Sequence, residues 1–138
     1  MSWIIFALLS ALFAALVAIF GKMGIGSIDT TLATTVRSAI MFGFLLIVSL
    51  FSGVFQNIKQ IDSKSLGIIA LSGIAGALSW LFYFYALKKG PASGVAALDR
   101  LSVVFVIFLA FLFLGENLTL KSVAGAILIT IGAILFAL

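Results

Sequence analysis

The chain has 138 residues, of which 64% are hydrophobic and 9% charged, with a formal net charge of +4 and a mean hydropathy of +1.41. That balance excludes an ordinary water-soluble domain, in which charged residues make up about a quarter of the chain. The absence of Cys and His excludes disulfides, thiol catalysis and the usual transition-metal sites, so no cofactor is expected.

A helix that crosses the hydrocarbon core of a bilayer needs about 20 mainly apolar residues. Five such stretches fill the chain, at Trp3–Phe20, Thr31–Phe51, Leu66–Leu87, Ala92–Leu114 and Thr119–Leu138, with short connectors between them. Each must satisfy its own backbone hydrogen bonds in lipid, which continuous apolar runs do as helices, whereas barrel strands would alternate apolar with polar residues. The predicted fold class is all-α: one polytopic membrane domain over residues 1–138 with five transmembrane helices.

The first stretch has no basic residues before it and is longer than a secretory h-region, so it reads as a mature span. Ser10, Ala14 and Ala18 recur along it at the spacing that lets helices approach closely. The second stretch carries Arg37, and a polar connector with Gln56-Asn57 and Ile61-Asp62-Ser63 follows it. In the third, Ser72, Gly76, Ser79 and Tyr83, with Trp80 beside them, form a face suited to lining a polar cavity. Tyr83 and Tyr85 equally suit anchoring at the membrane interface.

Pro91, within Lys89-Gly90-Pro91-Ala92, predicts a sharp loop and a helix start, because a first-turn residue has no use for an amide N–H. The fourth stretch contains Asp99 and Arg100. Gly115-Glu116-Asn117 marks a tight turn, where Glu116 suits capping the fifth helix electrostatically. In that helix Ser122, Ala126 and Thr130, with Gly125 and Gly132 alongside, form a second small-residue packing stripe.

Arg37, Asp99 and Arg100 lie inside apolar stretches, where charge is costly and functional by default. At a rise of about 1.5 Å per residue, Arg37 lies roughly 9 Å into its helix and Asp99 roughly 11 Å into its own, both counted from the same membrane side. An ion pair between them, or a hydrogen-bonded cluster with Arg100, at the wall of a central cavity is the functional reading. A pair that only fixes helix register, or arginines that snorkel to the headgroups, is the structural one. Four scattered acids and no usable nucleophile–base spacing argue against an enzyme.

Single charges at helix ends sit among lipid headgroups, so the basic balance implies a bilayer and no nucleic acid. Lys22, Lys88 and Lys89 fall on one side of the membrane, and Lys59, Lys64 and Lys121 on the other. The positive-inside count is a tie, tilted slightly by Arg37 and Arg100; a chain with so weak a bias can insert both ways, and the alternative is one orientation set by the weak bias or by a partner.

Asp99-Arg100-Leu101-Ser102 after Ala86-Leu87-Lys88-Lys89-Gly90-Pro91-Ala92, then Phe113-Leu114-Gly115-Glu116-Asn117-Leu118-Thr119, Gly125 and Gly132, resembles the EamA-type repeat of the drug/metabolite transporter superfamily. Lys22 and Arg37 fall where that repeat usually has basic residues, and the resemblance spans essentially the whole chain. Ser102 stands where many repeats have a proline, as in the single-repeat bacterial and archaeal subgroup, so no proline hinge carries over.

The resemblance implies a secondary transporter of the prokaryotic inner (cytoplasmic) membrane, often an exporter of amino acids, metabolites or drugs. Most members join two repeats into ten helices, the second repeat inverted. This chain would be one half, completed as an antiparallel homodimer working by alternating access. Ser10, Trp80, Tyr83 and Asp99 are the cavity candidates for a small-molecule solute, moderately apolar or zwitterionic, and an acid such as Asp99 could couple transport to protons. Two other classes stay open: a lipid-handling or flippase subunit, and a non-transporting helical partner of another membrane protein.

Overall fold

The structure is a computed structural model that describes residues 2–138. Six α-helices follow one another: α1 (Ser2–Ile25), α2 (Thr30–Phe51), α3 (Ser63–Lys89), α4 (Ala92–Asp99), α5 (Ser102–Leu109) and α6 (Leu120–Ala137). A 3₁₀ helix over Val54–Gln60 and a π-helical turn over Ala110–Leu114 complete the order, and no strand occurs among the described residues. Among the described residues, five spans are long and apolar enough to cross a membrane: Trp3–Ile25, Thr30–Phe51, Ser63–Lys89, Ala92–Leu114 and Leu120–Ala137. The first span runs past its predicted end at Phe20, and the third starts three residues earlier than predicted, at Ser63.

The fourth span is one apolar run in sequence but three pieces in structure. Around Arg100 and Leu101 the backbone bonds shorten to the i→i−3 pattern: Arg100 N–H donates to Ala97 O at 3.1 Å, Leu101 to Leu98 at 3.0 Å, and Val104 to Leu101 at 3.0 Å. Such overwinding breaks a helix without proline. At its far end the span loosens instead, and Ala110 O accepts the N–H groups of both Gly115 and Glu116. Gly115 ends the π turn at φ +67°, a left-handed conformation that glycine adopts without steric penalty.

Large apolar side chains are mostly exposed in the isolated chain, and the buried apolar residues among those described are Ala18, Ile25, Phe84, Leu87, Ala110 and Ala133. An inside this small is what a bilayer requires, since lipid tails solvate leucine and phenylalanine as well as a protein core does.

The chain divides into two compact units. One comprises the chain up to Gly24 and Lys89–Leu138, and so holds α1 and α4 to α6. Here α4 lies on α6, and the close approach falls at buried Gly94, where an added Cβ would stand 3.2 Å from Phe136 O and 3.3 Å from Pro91 Cγ. The predicted stripes carry less of the packing than expected: nothing lies within 4 Å of a Cβ built on Gly125 or Gly132, and Ser10 is exposed although Ala18 is buried. Ala126 and Thr130 instead line an apolar groove of about 400 Å³ against Val104 and Ile107 of α5. Pro91 is the residue before the first turn of α4, at φ −67° and ψ 143°. Capping of α6 falls to Thr119 and not to Glu116: the Thr119 hydroxyl accepts the Ser122 N–H at 3.1 Å while Ser122 Oγ accepts the Thr119 N–H at 3.0 Å. A hydroxyl at the cap reaches orphan amides that a carboxylate four positions before Leu120 does not.

The second unit, Ile25–Lys88, is an antiparallel pair formed by α2 and most of α3. The connector between them is not merely polar loop: Gly53, at φ +70°, turns the chain into the 3₁₀ helix, and Asp62 Oδ2 then accepts the Ser65 N–H at 3.0 Å to start α3. The opposite end of the pair is tied by polar side chains. Asp29 Oδ1 accepts the N–H groups of Thr31 and Leu32, Lys88 Nζ donates to Ile28 O at 2.9 Å, and the hydroxyls of Thr31 and Tyr85 lie 3.2 Å apart.

Candidate functional site

In the second unit, α2 and α3 run in opposite directions, so residues in the first turns of α2 meet residues in the last turns of α3. Arg37 lies about 10 Å along α2 from Thr30. Its guanidinium carbon lies over the ring of Trp80, 3.7 Å from the centroid, and 5.7 Å from the centroid of Phe84. Trp80 in turn meets Tyr83 edge-on, with centroids 5.4 Å apart at 74°, and Phe84 at 6.3 Å and 64°. Phe84 and Leu87 are buried, and Thr34 is buried with its hydroxyl donating to Thr30 O at 2.8 Å. Aromatic faces attract a cation through their quadrupole, and the attraction strengthens where water is excluded.

A ring face holds a guanidinium without accepting its hydrogen bonds. Nη1 of Arg37 is buried and has no hydrogen-bond partner among the described residues. A buried donor left unpaired costs more than an ordinary hydrogen bond contributes, and a charged one costs most.

The residues predicted from sequence divide between the units. Arg37, Trp80 and Tyr83 come together in the second. Ser10, Asp99 and Arg100 belong to the first: Ser10 is exposed on α1, half-buried Asp99 is the last residue of α4, and exposed Arg100 begins the break in the fourth span. In the same unit Lys22 Nζ donates to Gly90 O at 2.8 Å and so ties the end of α1 to the loop before α4. The face expected of α3 is rotated: Ser72 and Ser79 are exposed, while Gly76, Trp80, Tyr83, Phe84 and Leu87 turn toward the protein. Sequence reasoning missed Phe84 and the stacking of Arg37 on Trp80. The one available signal was a tryptophan at a similar depth to an arginine on a neighbouring helix. Among the described residues no group of three or more His, Cys, Asp or Glu could hold a metal ion.

Five apolar spans, a core made by few residues and a cation set on an aromatic cluster within them define a multi-pass helical membrane protein. The sequence matches the EamA-like transporter family across residues 1–138, and the chain belongs to that family. It is 43% identical over 136 residues to an uncharacterized transporter in the cobO 3' region of Sinorhizobium sp., covering 99% of this chain and 96% of that one. The pseudopaline exporter CntI of Pseudomonas aeruginosa is 31% identical over 72% of this chain, which spans only 33% of CntI. A probable 4-amino-4-deoxy-L-arabinose-phosphoundecaprenol flippase subunit, ArnF of Pseudomonas savastanoi, is 35% identical over 57% of this chain and 59% of its own length. No solved structure is significantly similar to the chain.

Proposed function

We propose that this membrane transporter is a secondary exporter of small metabolites, amino acids or drug-like solutes in the cytoplasmic membrane. The observation that carries the reading is the family match over the whole chain, joined to end-to-end similarity with a relative named as a transporter. The similarity to CntI, named as an exporter, favours the outward direction.

A single five-span repeat is half of a ten-helix inverted pair, and an antiparallel homodimer supplies the other half. Alternating access then proceeds by rocking one bundle against the other. Ser10, Trp80, Tyr83 and Asp99 contact the solute. Asp99 exchanges a proton with the transport cycle, and Arg37 and Arg100 are further charges within the second and fourth spans. The similarity to ArnF favours a second reading, a lipid-handling subunit, in which Arg37 and Lys22 act on an anionic headgroup.

Purified protein in proteoliposomes loaded with radiolabelled amino acids tests the first reading. Under an imposed proton gradient, efflux should exceed that of protein-free vesicles and lose its proton dependence in Asp99→Asn. Full, proton-dependent flux in Asp99→Asn at equal incorporation removes Asp99 from the mechanism. Translocation of a labelled anionic lipid with no solute efflux replaces the first reading by the second.

A further inference from the structure

The Arg37 guanidinium combines three properties. It is held over the face of Trp80 at 3.7 Å, its Nη1 is buried without a partner, and it lies about a third of the way along the 22-residue α2. Stacking fixes the plane of a guanidinium while leaving its N–H fork free for oxygen acceptors, and that fork matches a carboxylate bidentately. Trp80, Tyr83 and Phe84 add an apolar platform beside it.

We propose that the Arg37–Trp80 stack is the recognition point for the carboxylate of an apolar or aromatic solute. The inference rests on the transporter reading and narrows its substrate class. Charge and depth select the ligand. One guanidinium balances one negative charge, and the neighbouring cation of this unit, Lys88, donates to Ile28 O near the end of α3 and lies two helical turns beyond Trp80. A monoanion therefore fits and a phosphate dianion does not. A phospholipid diester is also a monoanion, but its phosphate stays at the headgroup level, whereas Arg37 lies about 10 Å along α2 from Thr30. A solute that enters the protein brings its carboxylate to that depth.

The chain contains two tryptophans, Trp3 and Trp80, so Trp3→Phe leaves Trp80 as the lone tryptophan reporter at the site. Titrating this variant in dodecyl maltoside with benzoate and with its neutral isostere benzamide reads binding directly. Benzoate should change Trp80 emission saturably and bind at least about tenfold more tightly than benzamide, the difference expected of a charge-assisted pair of hydrogen bonds. Added Arg37→Gln should abolish that preference. Arg37→Lys, which keeps the charge and loses the planar fork, should retain it only in part.

Equal affinity for benzoate and benzamide overturns the proposal, and so does a preference that survives Arg37→Gln. A response to dioleoylphosphatidylglycerol without one to benzoate overturns it in favour of a lipid headgroup. If Arg37→Gln loses helicity by circular dichroism, the benzoate–benzamide comparison in the Trp3→Phe protein alone decides. Solute flux without a benzoate preference removes this site and leaves the transporter reading standing, whereas a benzoate preference without flux does the reverse.

Discussion

Asp62 shows what a single side chain does at the edge of the membrane. It lies just before α3, where its carboxylate oxygen accepts the Ser65 N–H at 3.0 Å. The Ser65 hydroxyl and backbone N–H hold the Asp62 carboxyl below its usual range, against a smaller opposing effect of desolvation. A depressed carboxyl contributes stability that is present above the ordinary value of about 4 and is lost as pH falls through the folded value. Asn in its place keeps an acceptor for the amide but does not titrate. The thermal stability of the wild type in detergent should therefore fall relative to Asp62→Asn on acidification from pH ~5 toward pH ~3. Parallel pH profiles would mean that the cap does not stabilise α3 through its charge. Arg37 obeys different physics at this scale: it is half-buried within a span, so an aromatic face and an unpaired N–H replace the exposed hydrogen bonds available to Asp62.

Helices in lipid associate by shape, because apolar burial between them drives nothing that lipid tails do not also offer. In the first unit the shape is decided at Gly94, where α4 meets the backbone of α6 near Phe136. Gly94→Ala should lower the thermal stability of the detergent-solubilised protein, and Gly94→Leu should cost about 1–3 kcal/mol by overpacking. Gly132→Ala, with nothing within 4 Å of the new methyl, should stay within about 0.5 kcal/mol of wild type. Equal effects at the two positions would mean that α4 and α6 do not rest on Gly94. The same span shows where periodicity misleads. The mainly apolar 23-residue span from Ala92 to Leu114 reads as one helix, yet the backbone overwinds at Arg100-Leu101 and unwinds at Ala110–Leu114. The first irregularity coincides with the Asp99-Arg100 pair, and charged side chains at that depth give the sequence its only mark of the break.

At the scale of the whole molecule, the tied count of lysines on the two membrane sides leaves orientation weakly specified. Ser63, the first residue of α3, lies between Lys59 and Lys64 at the same membrane edge, and the chain has no cysteine of its own, so Ser63→Cys reports orientation against a silent background. Comparable fractions labelled by an impermeant maleimide and protected from it in intact cells are expected, as an antiparallel dimer requires. A single labelled or single protected population would exclude that dimer and turn attention to a parallel assembly or a different partner chain.

The five spans and the family were legible without coordinates, because a membrane imposes length and apolarity on each segment separately and both are read from consecutive residues. Most span ends were found within a few residues, and the exceptions have local causes. The first helix continues to Ile25 through residues too polar on average to extend the apolar run, and α3 begins at Ser63 because the Asp62 cap starts it ahead of its first apolar residue. The nomination of Trp80 and Tyr83 placed two members of the aromatic cluster, since a tryptophan deep in a span is itself a signal. What the sequence could not supply is which side chain lies over which ring. That depends on the rotation of α3 about its axis, which turned Ser72 and Ser79 outward and Phe84 and Leu87 inward. Rotation is settled by packing between helices distant in sequence, such as Thr31 against Tyr85, Lys88 against Ile28 O and Arg37 over Trp80, and contacts of that kind leave no periodic trace in either segment alone.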